Sequence, residues 1–178
     1  MRAGVVSVAK RIAILVDDMY EDLELWYPYY RLLEAGHQVD LIGSERERAY
    51  TSKHHYPAKA VKSIAEVRPE DYDGVVIPGG YAPDKMRRDE RMVRFVREIH
   101  DQGKLVAAIC HAGWMLVSAD VLRGRRATSV RAIRDDMRNA GCEWVDEPVV
   151  VDGNLVTSRT PDDLPAYMKA ILAKLGEG

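Results

Sequence analysis

Leu105-Val106-Ala107-Ala108-Ile109-Cys110-His111-Ala112-Gly113-Trp114-Met115-Leu116-Val117 is the stretch whose reading decides the fold. Its first five residues form an apolar run of strand length, and the residues after Gly113 have a helical pattern. Between them Cys110 stands at a strand-to-helix corner, with Ala108 and Ala112 two residues away on either side. Such a turn is sharp and strained, and only small neighbours let the backbone fold that tightly. This is the layout of a nucleophile elbow. The helix that follows aims free N–H groups at the sulfur and His111 is adjacent in sequence, both of which favour thiolate over thiol. The sequence therefore predicts a depressed pKa for Cys110. Cys142, between Gly141 and Glu143, reads as a structural thiol.

Outward from the corner, strand and helix patterns alternate. Ile12-Ala13-Ile14-Leu15-Val16, Val39-Asp40-Leu41-Ile42-Gly43 and Gly74-Val75-Val76-Ile77 read as core strands, the last ended by Pro78-Gly79-Gly80. A helix is expected from about Asp22, with Leu23, Trp26, Tyr30 and Leu33 on its inward face, a kink at Pro28 and a stop at Gly36. Arg46 to Lys62 reads as a small hairpin excursion. A second helix, from about Glu90 to Gln102, turns Val93, Val96 and Ile99 inward. Val149-Val150-Val151 and Leu155-Val156-Thr157 pair around the turn signal Asp152-Gly153-Asn154. The last helix starts near Asp162 or Asp163, with Pro165 in its first turn, and buries Met168, Ile171, Leu172 and Leu175. Repeated β-α-β units imply an α/β fold, a mostly parallel central sheet with helices on both faces.

The chain has 178 residues, 47% of them hydrophobic, which suits one domain with a full core, spanning about residues 11–175. A net charge of −2 excludes an electrostatic case for a nucleic-acid partner or an anionic membrane. The basic stretch Arg123-Gly124-Arg125-Arg126 with Arg131, Arg134 and Arg138 lacks interleaved aromatics and reads as a solvated helix face. No apolar run has membrane-spanning length, and Met1 to Val6 lacks the apolar core of a signal peptide. Two cysteines make no disulfide framework. A cytoplasmic protein is the expectation.

In such a sheet the ligand site lies at the carboxyl ends of the strands. The residues just past those ends are Asp17, Asp18, Glu21 and Asp22 after the first strand, Gly79, Gly80 and Asp84 after the third, and Cys110 and His111 at the elbow. Nucleophile, possible bases and glycine donors thus share one rim. A glycine N–H together with that of His111 would make a two-donor oxyanion hole. His54 and His55 are neighbours and face opposite sides of a strand, with no third ligand at the right spacing, so no metal is expected. No Gly-rich dinucleotide fingerprint follows the first strand, and no cofactor is expected.

The elbow Ala107-Ala108-Ile109-Cys110-His111, the turn Ile77-Pro78-Gly79-Gly80 and the entry Tyr20-Glu21-Asp22-Leu23-Glu24-Leu25 together resemble the PfpI-like intracellular protease/deglycase family, within the class I glutamine amidotransferase-like superfamily. The likeness runs from about Arg11 to the last helix. It implies a flavodoxin-like three-layer sandwich, Cys110 as nucleophile, His111 as its partner and Glu21 as the carboxyl group contacting the sulfur. Gly80 and His111 would supply the oxyanion-hole N–H groups. Two positions depart from the family pattern. Ala112 stands where glycine usually follows the Cys-His pair. Asp84 matches the glutamate that serves as the triad acid, which in PfpI-type proteins reaches in from a neighbouring subunit. No histidine follows the elbow, so glutaminase chemistry, which needs a downstream His-Glu pair, is not expected.

The resemblance implies attack of Cys110 on methylglyoxal, glyoxal or glycated amino groups, with Glu21 or His111 moving the proton. An intracellular cysteine peptidase using Cys110, His111 and Asp84 is the alternative, and a redox-sensing stress protein with an oxidisable Cys110 a third. The resemblance, with the aromatic surplus of Trp26, Tyr27 and Tyr29, also implies a homo-oligomer, a dimer or a hexamer.

Overall fold

The apolar runs become the centre of one sheet. The computed structural model describes residues 8–176, so the reading of Met1 to Val6 lies outside the described residues. In chain order the elements are β1 (Arg11–Leu15), α1 (Asp22–Glu34), β2 (Gln38–Gly43), β3 (Ala49–Thr51), β4 (Pro57–Lys59), β5 (Lys62–Ser63), β6 (Gly74–Ile77), α2 (Ala82–Met86) and α3 (Glu90–Asp101). There follow β7 (Leu105–Ile109), α4 (Gly113–Ala119), β8 (Arg126–Ala127), α5 (Arg134–Asn139), β9 (Glu143–Trp144), β10 (Val149–Asp152), β11 (Leu155–Ser158) and α6 (Leu164–Lys174).

Seven strands form the main sheet in the order β10-β11-β7-β6-β1-β2-β5. All neighbours are parallel except β10 and β11, which make the hairpin expected around Gly153. Every residue of β6 and β7 is buried, as a strand covered on both faces requires. Helix α1 packs on α6, while α4 packs on α2 and α3, giving the three layers of an α/β sandwich. The chain leaves β1 toward β2 and β5, then returns to place β6 on the other side of β1. That reversal opens a crevice above β1 and β6, the position where open α/β sheets bind ligands.

Helix α1 carries the main correction to the expected packing. It runs from Asp22 to Glu34 with Pro28 inside it, but its buried side chains are Glu24, Leu25, Pro28 and Leu32. Most of the expected inward set is turned out: Leu23 is 56% exposed and Tyr30 62%, while Trp26 is half-buried against the core. The observed buried face is nearly opposite the expected one, a rotation of roughly 160° of helix. The buried face includes Glu24, a charged residue whose side chain is fully buried. The other helices keep their expected faces: Val96 and Ile99 are buried on α3, and Met168, Ile171 and Leu172 on α6. Of the basic stretch, Arg125 is no solvated side chain. Its guanidinium bonds Asp152 and Asn154 and so ties down the β10–β11 turn.

Candidate active site

Cys110 has φ +61°, the left-handed region that a side chain other than glycine seldom adopts. Such a residue carries about 1–2 kcal/mol of strain. The turn continues as a single 3₁₀ turn over Cys110–Ala112 before α4 begins. Ala112 is fully buried at φ −61° and ψ −17°, ordinary helical values, so the alanine found where glycine is usual imposes no backbone strain.

The exit of β6 is built to approach this corner. A methyl group on Gly79 would lie 2.5 Å from Glu24 Oε1 and 2.7 Å from Cys110 Cβ, so only glycine lets the carboxyl group and the nucleophile close on each other. Gly80, at φ +76°, bridges Tyr20, and a Cβ there would meet Met19 O at 2.5 Å. Tyr81 N donates to Met19 O and Glu21 N to Gly79 O, which clamps the β1 and β6 exits together. The backbone N–H groups of His111 and Gly80 lie toward the Cys110 sulfur and favour its anion. The two donors expected for an oxyanion hole therefore converge on the nucleophile itself.

The carboxyl group beside the sulfur is that of Glu24, one helical turn beyond the residue expected. Glu24 Oε1 accepts from Gly79 N–H at 3.1 Å. Burial, and then the charge of Glu21, push its pKa up to about 8, against the pull of the Gly79 N–H and Lys53. At neutral pH it holds its proton. Glu21 instead caps α1 and takes an ion pair from Lys53 Nζ at 3.1 Å, at the wall of the same cavity. The signal for Glu24 was present in sequence: it shares a face with Leu25, Pro28 and Leu32, and a carboxylate on an apolar face points at chemistry or at a partner.

Burial pushes the Cys110 thiol up to about 12, with the charge of Glu24 adding to the effect and the two N–H groups and Lys53 opposing it. The depressed pKa expected from sequence is thus corrected: burial, the larger cause, raises it whatever the protonation of Glu24. With Glu24 protonated its contribution vanishes, and the sulfur keeps its two donors and the nearby ammonium. The two groups titrate as one coupled pair.

His111 Nδ1 lies 3.3 Å from the sulfur. Its ring sits between Tyr81 and Trp114, with centroids at 6.4 and 5.1 Å. Burial, then the Lys53 charge, lower its pKa, so the ring is neutral near pH 7. Glu21, Glu24, Lys53, Gly80, Tyr81, Cys110, His111 and Pro161 line a partly open cavity of about 120 Å³. That is roughly the volume of four liquid water molecules.

The remaining acids of the rim have other partners. Asp18 bonds Arg48 and Thr51 N, and Asp22 bonds Ser52 and His54, so both hold the β3–β4 hairpin against the β1 exit. Ligand atoms of Glu21, Asp22 and His54 gather within 4.8 Å, but Lys53 and Ser52 already occupy the carboxylates, and the cluster serves as this tether.

The DJ-1/PfpI family model matches residues 10–174. The chain belongs to the DJ-1/PfpI family. It is 48% identical over 165 residues to a deglycase of Pyrococcus abyssi, covering 93% of this chain and 99% of the relative. It is 42% identical over 165 residues to YraA of Bacillus subtilis, a putative cysteine protease, covering 93% and 98%. A crystal structure from Anabaena variabilis, a two-domain protein with DJ-1/ThiJ/PfpI-like and ferritin-like domains, superposes with a TM-score of 0.93 at 47% identity, over 95% of this chain and 49% of that one. Against the family pattern, Asp84 is the residue that this chain does not bring to its own site. Its carboxylate bonds Arg88 one turn along the surface and is half-exposed. Among the described residues no helix is long and apolar enough to cross a membrane.

Proposed function

We propose that this DJ-1/PfpI protein is a cofactor-independent, cysteine-dependent enzyme that acts on methylglyoxal, glyoxal or the glycated amino groups they form, a deglycase and glyoxalase type of stress protection. The observation that carries this reading is the buried Glu24 carboxyl group packed beside Cys110 in a cavity of about 120 Å³. The cavity admits a two- or three-carbon dicarbonyl. An extended peptide, at about 3.3 Å per residue with alternating side chains, needs an open groove.

The steps balance without an outside oxidant. His111 Nδ1 takes up the thiol proton and the Cys110 sulfur adds to the aldehyde carbon, forming the C–S bond. The carbonyl electron pair moves to oxygen, where the N–H groups of Gly80 and His111 stabilise it as they stabilised the sulfur. The Glu24 proton neutralises that oxygen to give a hemithioacetal. Removal of the proton on the former aldehyde carbon, its return to the adjacent carbon and transfer of the hydroxyl proton to the neighbouring oxygen convert the hydroxy ketone into a 2-hydroxy thioester. One carbon is oxidised and its neighbour reduced. Water then releases lactate from methylglyoxal or glycolate from glyoxal. In this scheme Glu24 or His111 carries the proton, and Glu21 with Lys53 holds the mouth of the cavity.

Peptidase activity is the second reading, favoured by the 3.3 Å contact of His111 with the sulfur and by the likeness to the putative protease YraA. It requires an acid on the imidazole, and Asp84 could supply one only from a neighbouring copy. A homo-oligomer is part of the proposal, supported by the outward aromatic face of α1, where Tyr27 and Tyr30 are exposed beside Leu23 and Leu33. The experiment is turnover of methylglyoxal and of an unfolded protein, side by side, by wild type and Cys110→Ala. Lactate formation by wild type alone supports the proposal. Peptide cleavage without lactate formation overturns it.

A further inference from the structure

On the packed helices α1 and α6, two buried polar atoms have no hydrogen-bond partner among the described residues: Glu24 Oε2 and Tyr167 Oη. Both side chains are fully buried. They project from α1 and α6, which pack against each other on one face of the sheet. A phenylalanine at 167 would fill the same space without a buried hydroxyl, and an unsatisfied buried hydroxyl costs about 1–3 kcal/mol. Packing therefore accounts for the ring and leaves the hydroxyl unexplained.

We infer that Tyr167 is a positioning residue for the Cys110 site: its hydroxyl donates toward Glu24 Oε2 across one shared water and so sets how tightly Glu24 holds the proton it exchanges with the sulfur. A single buried water commonly satisfies two such groups. Glu24 Oε1 is taken by the Gly79 N–H, so Oε2 is the oxygen that carries the proton when the carboxyl group is neutral. The phenol keeps its own proton, because burial and then the Glu24 charge raise its pKa well above the ordinary value. It therefore acts as a donor, and a donor favours the ionised carboxylate. The other groups facing Glu24 are Glu21 on its own helix, Lys53 from the β3–β4 hairpin, the Gly79 N–H after β6, and Cys110 with His111 after β7.

The inference rests on Cys110 being the nucleophile coupled to Glu24, and its test reads thiol reactivity rather than turnover. Alkylation of Cys110 by iodoacetamide is followed against pH by peptide mass spectrometry. The rate climbs while Glu24 is protonated, then levels once Glu24 ionises and holds the sulfur's proton on. Without the phenol donor Glu24 keeps its proton to higher pH. Tyr167→Phe should leave rates below the break unchanged, move the break up by about one pH unit and raise the plateau about tenfold. Tyr167→Leu, which also lacks the hydroxyl, should move the break in the same direction, with thermal melts confirming that each variant is folded. In a Glu24→Gln background Tyr167→Phe should change nothing. A Tyr167→Phe profile superposable on wild type overturns the inference, as does an equal change at every pH or an effect that persists with Glu24→Gln. A wild-type profile with no break would instead remove the Glu24–Cys110 coupling itself.

Discussion

The corner at Cys110 and the turn at Cys142 hold the chain's two thiols, and burial acts on both in the same direction, to about 12 and about 11. Their surroundings differ in what can offset that. Cys142 has the Arg138 charge and the Ala127 N–H, in a packed turn between α5 and β9. Cys110 has two converging N–H groups, Lys53, a neutral imidazole and a carboxyl group that can give up or keep a proton within the same cavity. A reactive cysteine is thus distinguished here less by its own proton affinity than by a neighbour whose protonation state changes it.

The largest effect that could break this comparison is removal of either thiol. Cys110→Ala should abolish dicarbonyl turnover, whereas Cys142→Ser should leave it within about twofold, checked by lactate release. Loss of activity on changing Cys142 alone, with the fold intact, would erase the distinction between the two sites.

Next in size is the contrast between two carboxylates three residues apart. Glu24→Gln should lower turnover by about 10²–10⁴-fold, the span of a lost general acid, and Glu21→Gln by about tenfold through the Lys53 pair. The reverse order would return the acid role to Glu21.

That contrast also shows what the sequence could reveal. The alternation of apolar runs, the Gly79-Gly80 turn and the elbow at Cys110 were legible because each is local: a run length, a glycine pair, a small-residue corner. The site's rim was legible too, since parallel strands deliver their carboxyl ends to one edge. The rotation of α1 was not, because an apolar stripe through Leu23, Trp26, Tyr30 and Leu33 competes with the narrower one that contains Glu24, and burying a carboxyl group looks unfavourable until its partners are known. The cysteine's proton affinity was misjudged for the same reason: local helix and imidazole effects were visible, but the desolvation of a corner packed between two glycines and a glutamate is a tertiary property. Asp84 shows a third limit, since nothing local says whether an acid on a five-residue helix faces its own site, a neighbour's or, as here, an arginine one turn on.

A smaller effect concerns stability. Glu24 has its pKa raised from 4.5 to about 8 on folding, so the folded state binds this proton more tightly than the unfolded chain. The stability it allows is fully present below about pH 4.5 and is lost as pH rises through about 8. Glu24→Gln should therefore match wild type in acid and exceed it by roughly a few kcal/mol above pH 8, read from denaturant melts at both ends of the window. Equal stability throughout would mean that the carboxyl group is solvated. The smallest effect is expected from Asp84→Asn, which should leave dicarbonyl turnover within about twofold because it removes a surface ion pair. Loss of both dicarbonyl and peptide turnover, with the oligomer intact, would establish the triad reading instead.

The measurement that bears most directly on the coupled pair is the alkylation rate of Cys110 against pH in wild type and Glu24→Gln. Wild type should rise tenfold per pH unit and break near pH 8, where Glu24 ionises. Glu24→Gln should follow the same line below the break and continue upward past it, while Cys142 labels far more slowly near neutral pH in both. Superposable profiles for the two proteins, or equal labelling of Cys110 and Cys142 near pH 7, would contradict the account.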